Sequence, residues 1–334
     1  MTTREREFEI GRSILVGDTA DVYFHRTLTI LRNEGINPEV VMEFFAERAG
    51  ILCGINEVKS LLSRILPETG REVWALDEGA TVSTKEVALR IRAPYASFGL
   101  YETAICGTLA SCTGWATAAH ECVEAAGGIP IVAFGARHVH PSVVGVMDYA
   151  ATVGGAVSCS SVLGARMAGL TPSGTMPHAL VLVIGDTVRA VQAFDRHMPP
   201  EVPRVALVDT FHDEAEEALE VARALRERLR GVRLDTPGER GGVTPELVQE
   251  VRARLNQGGF NHVDIFVSGG VTPERIRAFR DAEAPVSVFG VGYHISSARP
   301  NAFTGDIHEI EGRPVAKRGR IPGLTVNPRL TRVL

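Results

Sequence analysis

The length, composition and charge of the chain exclude several classes of protein. Its 334 residues, 45% hydrophobic and 22% charged, are typical of a globular protein with room for two domains, not of a disordered or fibrous one. A net charge of -5 argues against a broad basic surface, so no nucleic-acid partner is expected.

The amino terminus and the cysteines indicate where the protein works. The opening residues MTTREREFEI are charged and lack the apolar core of a signal peptide, and no later segment approaches the roughly 20 apolar residues that span a bilayer. The five cysteines form no C-x-x-C pair and no Cys/His spacing typical of zinc, so we expect reduced thiols and no zinc site. We therefore expect a cytoplasmic protein without a membrane partner.

The first hundred residues mix helical and strand-like patterns. Three segments have helical periodicity: DVYFHRTLTILRNEG, PEVVMEFFAERAG and INEVKSLLSRIL. Two others, REVWALDEG and EVALRIRAPY, favour strands. Beyond Ile295 the chain returns to turns and short strands, which we expect to pack with the first hundred residues. The prediction is a small α+β domain over residues 1–105 and 296–334.

From about residue 106 the pattern changes to alternating strands and helices. Six β-branched runs predict strands: IPIVAF, GAVSCS, RVALVDT, GVRLDT, HVDIFVSGG and APVSVFGVG. Helix-length segments separate them, and N-cap residues precede three of these helices: Asp213, Thr244 and Thr272. This alternation predicts an α/β domain over residues 106–295, an irregular (β/α) barrel, with an open doubly wound sheet as the alternative.

Glycine and serine residues follow the last two predicted strands, in VSGGV and FGVG. Small residues at late strand ends let backbone N–H groups approach a phosphate, and a helix amino terminus adds partial positive charge. The alternative is that the glycines only turn the chain. The residues predicted at this phosphate site are Ser268, Gly269, Gly270, Gly290 and Gly292.

The segment VRLDT places Arg233 and Asp235 on the same side of a strand, because side chains alternate along it. The arginine can bind a phosphate, and the aspartate can accept ribose hydroxyls or hold magnesium. Asp209, at the end of the preceding strand, can share that role. A structural ion pair is the alternative interpretation.

An aromatic ring, an arginine and two histidines cluster in FGARHVHP. Phe134 and Arg137 suit an aromatic carboxylate, because the ring can stack and the guanidinium can pair with the carboxylate. His138 and His140 have no third ligand within sequence reach, so we do not expect a metal there.

The segment SGTMPHALV places His178 at the start of an apolar run. Residues 179–194 are predicted to form one helix, with Ser173 or Thr175 as its N-cap and Pro177 near its first position. His178 then lies at the positive end of the helix dipole, which suits a neutral ring that acquires a negative group. A structural histidine at a helix start is the alternative.

In their joint order these motifs resemble the nicotinate phosphoribosyltransferases, which are related to the nicotinamide and quinolinate enzymes and have a type II phosphoribosyltransferase fold. The matching segments are TADVYF, FGARHVHP, SSVLGARMAGL, SGTMPH, LVDTF, VRLDT, VSGGV and FGVG. The resemblance implies phosphoribosyl transfer from 5-phosphoribosyl 1-pyrophosphate (PRPP) to nicotinate, giving nicotinate mononucleotide and pyrophosphate in NAD biosynthesis and salvage. It also implies coupling to ATP hydrolysis, with Mg²⁺ as cofactor.

The resemblance further implies a role for each site residue. His178 is expected to be phosphorylated transiently by ATP, and Arg137 to bind the nicotinate carboxylate. Tyr23 of a neighbouring subunit is expected to enclose the pyridine ring together with Phe134, which implies a homo-oligomer, at least a dimer, with shared active sites. The other implied assignments are Ser160 and Ser161 near the ring, Thr175 near the histidine, Arg233, Asp209 and Asp235 at ribose, pyrophosphate and magnesium, and the four glycines at the 5-phosphate.

Departures from the family pattern leave other activities open. Cys159-Ser160-Ser161 stands where relatives have Thr-Ser-Asn, and His138 follows Arg137 where a second arginine is common. The alternatives are a quinolinate enzyme, which we expect to need more basic strand ends than the sequence shows, and a nicotinamide enzyme. More remote alternatives are a sugar-phosphate barrel isomerase or aldolase, and a barrel that binds a nucleotide without catalysis. The basic residues 317–320 are predicted to be a solvated turn rather than a phosphate contact.

Overall fold

A computed structural model describes residues 8–334 of the chain. The predicted absence of a signal peptide depends largely on residues 1–7, which lie outside the described residues. The elements up to residue 126 are α1 (Arg12–Leu15), α2 (Val22–Asn33), β1 (Glu39–Ala46), β2 (Gly50–Ile51), α3 (Ile55–Ile65), β3 (Glu72–Ala75), β4 (Thr81–Val82), β5 (Val87–Pro94), α4 (Tyr95–Phe98) and α5 (Glu102–Ala126).

The rest of the chain carries alternating strands and helices, followed by three strands near the carboxyl end. The alternating elements are β6 (Ile131–Ala133), α6 (Val144–Val153), β7 (Ser158–Cys159), α7 (Val162–Ala168), α8 (His178–Ile184), α9 (Thr187–His197), β8 (Val205–Leu207), α10 (Glu214–Leu225), β9 (Gly231–Leu234), α11 (Pro245–Gln257), β10 (Asp264–Val267), α12 (Pro273–Asp281), β11 (Val288–Val291) and α13 (Tyr293–Ser296). The last strands are β12 (Phe303–Ile310), β13 (Arg313–Pro314) and β14 (Thr331–Arg332).

The chain divides into two compact units. The first unit runs up to Thr117 and includes Ala298–Leu334, and the second unit is Ala118–Ser297. The division falls inside α5, a 25-residue helix that the sequence patterns did not predict. The predicted boundary at residue 105 lies near the start of that helix. Among the described residues, none of the helices combines the length and apolar character that a membrane span needs.

The first unit contains a six-stranded sheet built from both ends of the chain, in the order β13-β12-β1-β5-β3-β14. Its strand β1 corrects the prediction of a helix over PEVVMEFFAERAG. β1 lies antiparallel between β12 and β5, and its residues from Val40 to Ala46 are all buried. A strand buried on both faces lacks the alternation that identifies a half-buried strand, so its pattern is easily taken for a helix. Its one interior charge, Glu43, pairs with Arg90 of β5 at 2.6 Å.

A partly buried carboxyl near the start of α3, that of Glu57, makes the stability of the first unit depend on pH. Glu78 accepts hydrogen bonds from the backbone N–H groups of Gly54 and Asn56, both at 3.0 Å. Burial, and then the charge of Glu78, raise the pKa of the nearby Glu57 to about 7. This value lies above the roughly 4.3 of an unfolded chain. The stability contributed by protonated Glu57 is therefore full below about pH 4 and is lost as the pH rises through 7.

We expect Glu57→Gln to stabilise the protein at pH 8 by about 1 to 3 kcal/mol, with the difference shrinking as the pH falls towards 4. Gln keeps the neutral state that burial favours. Urea unfolding at pH 5 and pH 8 measures the effect. Glu68→Gln, at an exposed position, is the control and should show no such trend. A stability difference that is the same at both pH values would contradict the prediction.

The second unit contains a six-stranded parallel sheet in the order β7-β6-β11-β10-β9-β8. All six predicted strands are confirmed. The sheet is a curled parallel half-barrel, so the predicted (β/α) barrel is confirmed only in this coarser form. Within residues 8–334 the edge strands β7 and β8 do not pair with each other, and the chain between them forms α7, α8 and α9.

The single helix predicted over residues 179–194 is wrong. α8 ends at Ile184, because Gly185 adopts a left-handed conformation with φ +81°. Asp186 then caps α9 by accepting a hydrogen bond from the backbone N–H of Arg189 at 2.7 Å. Neither predicted N-cap serves α8, whose N-cap is Pro177 without a side-chain hydrogen bond. The N-caps predicted for the later helices are confirmed: Asp213 for α10, Thr244 for α11 and Thr272 for α12.

Candidate active site

A cleft of about 690 Å³ opens in the second unit at the carboxyl ends of its parallel strands. Parallel strands bring their carboxyl ends to one edge of a sheet, so side chains distant in sequence meet there. The predicted site residues that line the cleft are Phe134, Arg137, Ser160, Thr175, His178, Arg233 and Asp235.

Arg233 of β9 is the most connected side chain of the cleft. Its Nε donates to Ser268 Oγ at 2.9 Å, its Nη1 to Thr175 Oγ1 at 3.2 Å and its Nη2 to Asp235 Oδ2 at 2.9 Å. The guanidinium also lies 5.4 Å from the centroid of the Phe134 ring, within reach of a cation–π interaction. Three other segments and Asp235 of its own segment therefore fix its orientation.

Ser268 lies behind the cleft wall and is only 3% exposed. Its hydroxyl accepts from Arg233 and donates to Asp235 Oδ1 at 2.8 Å, so it bridges the two charged side chains. The sequence did not predict these two contacts of Ser268. The predicted contact of Ser268 with phosphate stays a prediction.

His178 and Asp209 form a pair at the cleft. His178 Nε2 lies 3.1 Å from Asp209 Oδ1, and the side chains are 37% and 1% exposed respectively. Burial raises the pKa of Asp209, while the contact with His178 opposes the rise. Asp209 Oδ2 is buried and has no hydrogen-bond partner among residues 8–334. The arrangement can hold the imidazole with one ring edge towards the cleft.

The glycines of FGVG leave room for the residues after β6. A Cβ atom at Gly290 would lie 2.5 Å from the Phe134 ring, and one at Gly292 would lie 2.9 Å from the Phe134 carbonyl oxygen. Real Cβ atoms do not approach other atoms so closely, because protein interiors are close-packed. Phe134 can therefore lie against β11 only if these positions are glycine. The predicted contact of both with the 5-phosphate stays a prediction.

The glycines of VSGGV form a turn that leads into α12. Gly269 and Gly270 have φ values of +81° and +63°, which favour glycine. Arg275 Nη1 donates to their carbonyl oxygens at 2.7 and 3.0 Å. The arginine therefore fixes the turn in front of the helix amino terminus, and the predicted phosphate contact again stays a prediction.

Two predicted site residues have other contacts. Ser161 caps α7 by accepting from the backbone N–H of Gly164 at 3.1 Å, and its own N–H donates to Asp148 Oδ2 at 2.9 Å. Tyr23 lies in the first unit on α2, where it is 56% exposed and donates to Asp21 Oδ2 at 3.1 Å. Its place beside the pyridine ring, and the homo-oligomer with shared active sites, stay predictions.

The basic segment near the carboxyl end is not simply a solvated turn, because two of its side chains bind a buried carboxylate of the first unit. Lys317 Nζ and Arg320 Nε lie 2.5 and 2.7 Å from the oxygens of Asp306. His138, one of the two histidines discussed for metal, packs edge-on against Tyr293. Across the described range of residues, no three His, Cys, Asp or Glu side chains are grouped to hold a metal ion.

Comparison with known proteins covers both halves of the chain. Residues 21–113 match the N-terminal domain of quinolinate phosphoribosyl transferase, and residues 115–304 match its C-terminal domain. The crystal structure of a nicotinate-nucleotide pyrophosphorylase from Pyrococcus furiosus is 43% identical, with a TM-score of 0.87 over 95% of this chain and 82% of that one. NadC from Streptococcus pyogenes shares the fold at 16% identity, with a TM-score of 0.64 over 85% of this chain and 96% of that one.

The chain is also similar to curated proteins with a related name. A nicotinate phosphoribosyltransferase of Mycobacterium tuberculosis is 34% identical over 231 residues, which cover 68% of this chain and 49% of the relative. The chain thus spans about half the length of the curated relatives it matches. This similarity agrees with the sequence resemblance but covers less of the relatives.

The family models correct the function predicted from sequence. The prediction of an ATP-coupled nicotinate phosphoribosyltransferase is wrong, because the matched models are quinolinate ones and the similar Pyrococcus structure is a nicotinate-nucleotide pyrophosphorylase. A quinolinate enzyme, which the sequence left open but which we expected to need more basic strand ends, is the alternative that these models support. The chain belongs to the quinolinate phosphoribosyltransferase family.

Proposed function

We propose that the protein transfers the phosphoribosyl group of PRPP to quinolinate, with release of pyrophosphate and carbon dioxide and formation of nicotinate mononucleotide. One observation carries the proposal. In a chain of this family, the strand-end cleft combines two arginines, an aromatic ring and a carboxylate, from Arg137, Arg233, Phe134 and Asp235. These groups match an aromatic dicarboxylate on one side and a sugar polyphosphate on the other.

Arg137 is the best-placed group for a carboxylate of quinolinate. Its side chain is exposed in the cleft and forms no hydrogen bond or ion pair with any residue that the structure describes. A guanidinium with free N–H groups can bind a carboxylate through two parallel hydrogen bonds. The nearby Phe134 offers a flat ring on which a pyridine can stack.

Arg233 and Asp235 are proposed to bind PRPP. The arginine is held by its contacts with Ser268, Thr175 and Asp235, so its charge stays in place when the leaving pyrophosphate gains charge. The amino terminus of α12 follows the VSGGV turn, and the positive end of its helix dipole favours a phosphate. The 5-phosphate is therefore assigned to this turn.

Mg²⁺ fits the two carboxylates at the carboxyl ends of the parallel strands, Asp209 and Asp235. Asp209 Oδ2 is buried without a hydrogen-bond partner among the described residues, and Asp235 lines the cleft near it. Mg²⁺ prefers oxygen ligands and is commonly held by one or two carboxylates together with substrate phosphates. When bound, it would neutralise part of the charge on the pyrophosphate.

The bond changes follow from the two substrates. The pyridine nitrogen bonds to ribose C1 as the C1–O bond to pyrophosphate breaks, through a transition state with oxocarbenium character. The C2 carboxylate then leaves as carbon dioxide, its electron pair stays on C2 beside the positively charged ring nitrogen, and C2 takes a proton from water. Positioning by Arg137 and Phe134 and charge neutralisation by Arg233 are the contributions of the chain. His178, held by Asp209, is placed to hydrogen-bond a bound substrate.

A substrate panel tests the proposal. The purified protein is incubated with PRPP and Mg²⁺ and with quinolinate, nicotinate or nicotinamide in turn, with and without ATP, and mononucleotide formation is followed by chromatography. We expect turnover of quinolinate without ATP. Turnover of nicotinate or nicotinamide alone, or no turnover of any of the three, would overturn the proposal.

A further inference from the structure

Helix α10 contributes a buried carboxylate that the proposed reaction does not use directly. Glu217 has no exposed surface and accepts four hydrogen bonds. Three come from the backbone N–H groups of Thr210, Phe211 and His212, at 3.3, 2.9 and 3.1 Å. The fourth comes from the Thr187 hydroxyl at 2.9 Å. An ionised carboxylate accepts but does not donate, so this surrounding suits Glu217 fully.

The three backbone donors belong to the loop that begins directly after Asp209. Successive N–H groups that converge on one point form a concave anion site, and here the anion is a side chain of the protein itself. Because Thr210 is bonded covalently to Asp209, the position of Glu217 limits where the Asp209 carboxylate can lie. The buried carboxylate therefore fixes the carboxyl end of β8.

The fourth donor lies at the start of α9, the helix that follows the one beginning with His178. Thr187 is the first residue of α9, three residues after Ile184 ends α8, and α8 begins with His178. Glu217 thus binds the loop that follows Asp209 and the start of α9, which is connected through Gly185 and Asp186 to the helix that begins with His178.

Glu217 has no cationic partner within the described range of residues. A buried carboxylate without an ion pair is costly unless hydrogen bonds offset its loss of solvation. Gln at this position would place an NH₂ group against N–H donors, so it could not reproduce the four bonds. Gln would therefore hold the loop less firmly than Glu217 does.

We propose that Glu217 is a positioning residue that sets the geometry of the His178–Asp209 pair and affects the reaction only through that pair. One readout is the rate of the transfer reaction, and in this respect the inference rests on the proposed function. A second readout, hydrogen exchange of the loop amides, depends only on the contacts of Glu217. The two can therefore fail separately.

A double-mutant cycle tests the inference. We expect Glu217→Gln to lower kcat/KM by about 10- to 100-fold in the wild-type background, but by less than about threefold in an Asp209→Asn background, because the pair is already broken there. Where turnover is too slow to measure, the affinity for PRPP with Mg²⁺, measured by calorimetry, is compared between the same four proteins. If Glu217→Gln causes the same fold-change in the wild-type and Asp209→Asn backgrounds, in both measurements, the inference is overturned.

Hydrogen exchange on the free protein supplies the second readout. The amides of residues 210–212 should be protected in the wild type and lose at least about tenfold of that protection in Glu217→Gln. Glu214→Gln is the matched control: Glu214 is also buried on α10, but it binds the Thr236 hydroxyl at 2.7 Å and not this loop. It should leave these amides unchanged. Equal protection in wild type and Glu217→Gln would overturn the inference.

A milder variant keeps the test usable if Glu217→Gln does not fold. Thr187→Val removes only the hydroxyl and keeps the three backbone bonds to Glu217. We expect it to lower kcat/KM by about three- to tenfold, and to have no further effect in a His178→Ala background. An equal effect in both backgrounds would overturn the inference. If the wild type does not turn over quinolinate while exchange of the loop still depends on Glu217, the proposed function fails and the anchoring role stands.

Discussion

Replacing Arg233 by methionine should lower kcat/KM for quinolinate by about 10³-fold or more. Arg233 contacts Ser268, Thr175 and Asp235 and lies against the Phe134 ring, so its loss removes a fixed charge and loosens the cleft around it. The proposed reaction needs this charge most when pyrophosphate leaves. Steady-state kinetics with varied PRPP should show a fall in kcat in addition to any rise in KM.

Two further arginine variants make this prediction specific. Arg233→Lys keeps the charge but loses the planar fork that reaches three partners, so we expect it to remain about 10²-fold below the wild type. Arg230→Met is the matched control, because Arg230 is 65% exposed at the opposite end of β9 and pairs with Asp264 at 2.8 Å. It should stay within about threefold of the wild type. Arg233→Met activity within tenfold of the wild type would contradict the assignment.

Replacing Arg204 by methionine should destabilise the second unit by about 3 to 5 kcal/mol. Its side chain is 11% exposed and its Nε donates to Asp195 Oδ1 at 3.0 Å. Its Nη groups donate to four carbonyl oxygens, those of Pro199, Val202, Asp195 and Met198. Methionine cannot donate to any of these acceptors, two of which lie at partly buried residues, Asp195 and Val202. The loop they form leads directly into β8.

Urea unfolding followed by circular dichroism measures the loss. Arg196→Met is the matched control, because Arg196 is exposed at the end of α9, next to Asp195, and should change stability by less than about 0.5 kcal/mol. The Arg204→Met enzyme should keep its KM values at temperatures where it is folded, because Arg204 does not line the cleft. Equal unfolding midpoints for Arg204→Met and the wild type would contradict the prediction.

Local patterns predicted the fold where a short β-branched run or a helix cap is present. The six parallel strands and the helix starts at Asp213, Thr244 and Thr272 are of this kind. The pattern failed for β1, which is buried on both faces and so has no alternation. It also failed at Gly185, where a left-handed residue ends α8 inside a continuous apolar run. Closure of the sheet into a barrel could not be predicted, since it depends on pairing between strands distant in sequence.

Several residues that the motifs single out line one cleft in the structure, but the sequence did not predict the contacts between them. Phe134, Arg137, His178, Arg233 and Asp235 all line the cleft as motif residues. The sequence gives no distances between side chains, so it could not predict the bonds that hold Arg233 to Ser268 and Thr175.

Glu217 carried no signal in the sequence. A glutamate in a charged amphipathic helix is ordinarily solvated, and only the folded chain brings the loop after Asp209 and the start of α9 around it. A buried glutamate such as Glu217 can be recognised only when its partners, which are distant in sequence, are known.

The central claim is tested most directly by following the carboxylate that quinolinate loses. The protein is supplied with PRPP, Mg²⁺ and quinolinate labelled with ¹³C in the C2 carboxylate, without ATP. The account predicts one labelled carbon dioxide and one nicotinate mononucleotide for each PRPP consumed. PRPP-dependent formation of the mononucleotide from nicotinate, with no labelled carbon dioxide released from quinolinate, would contradict it.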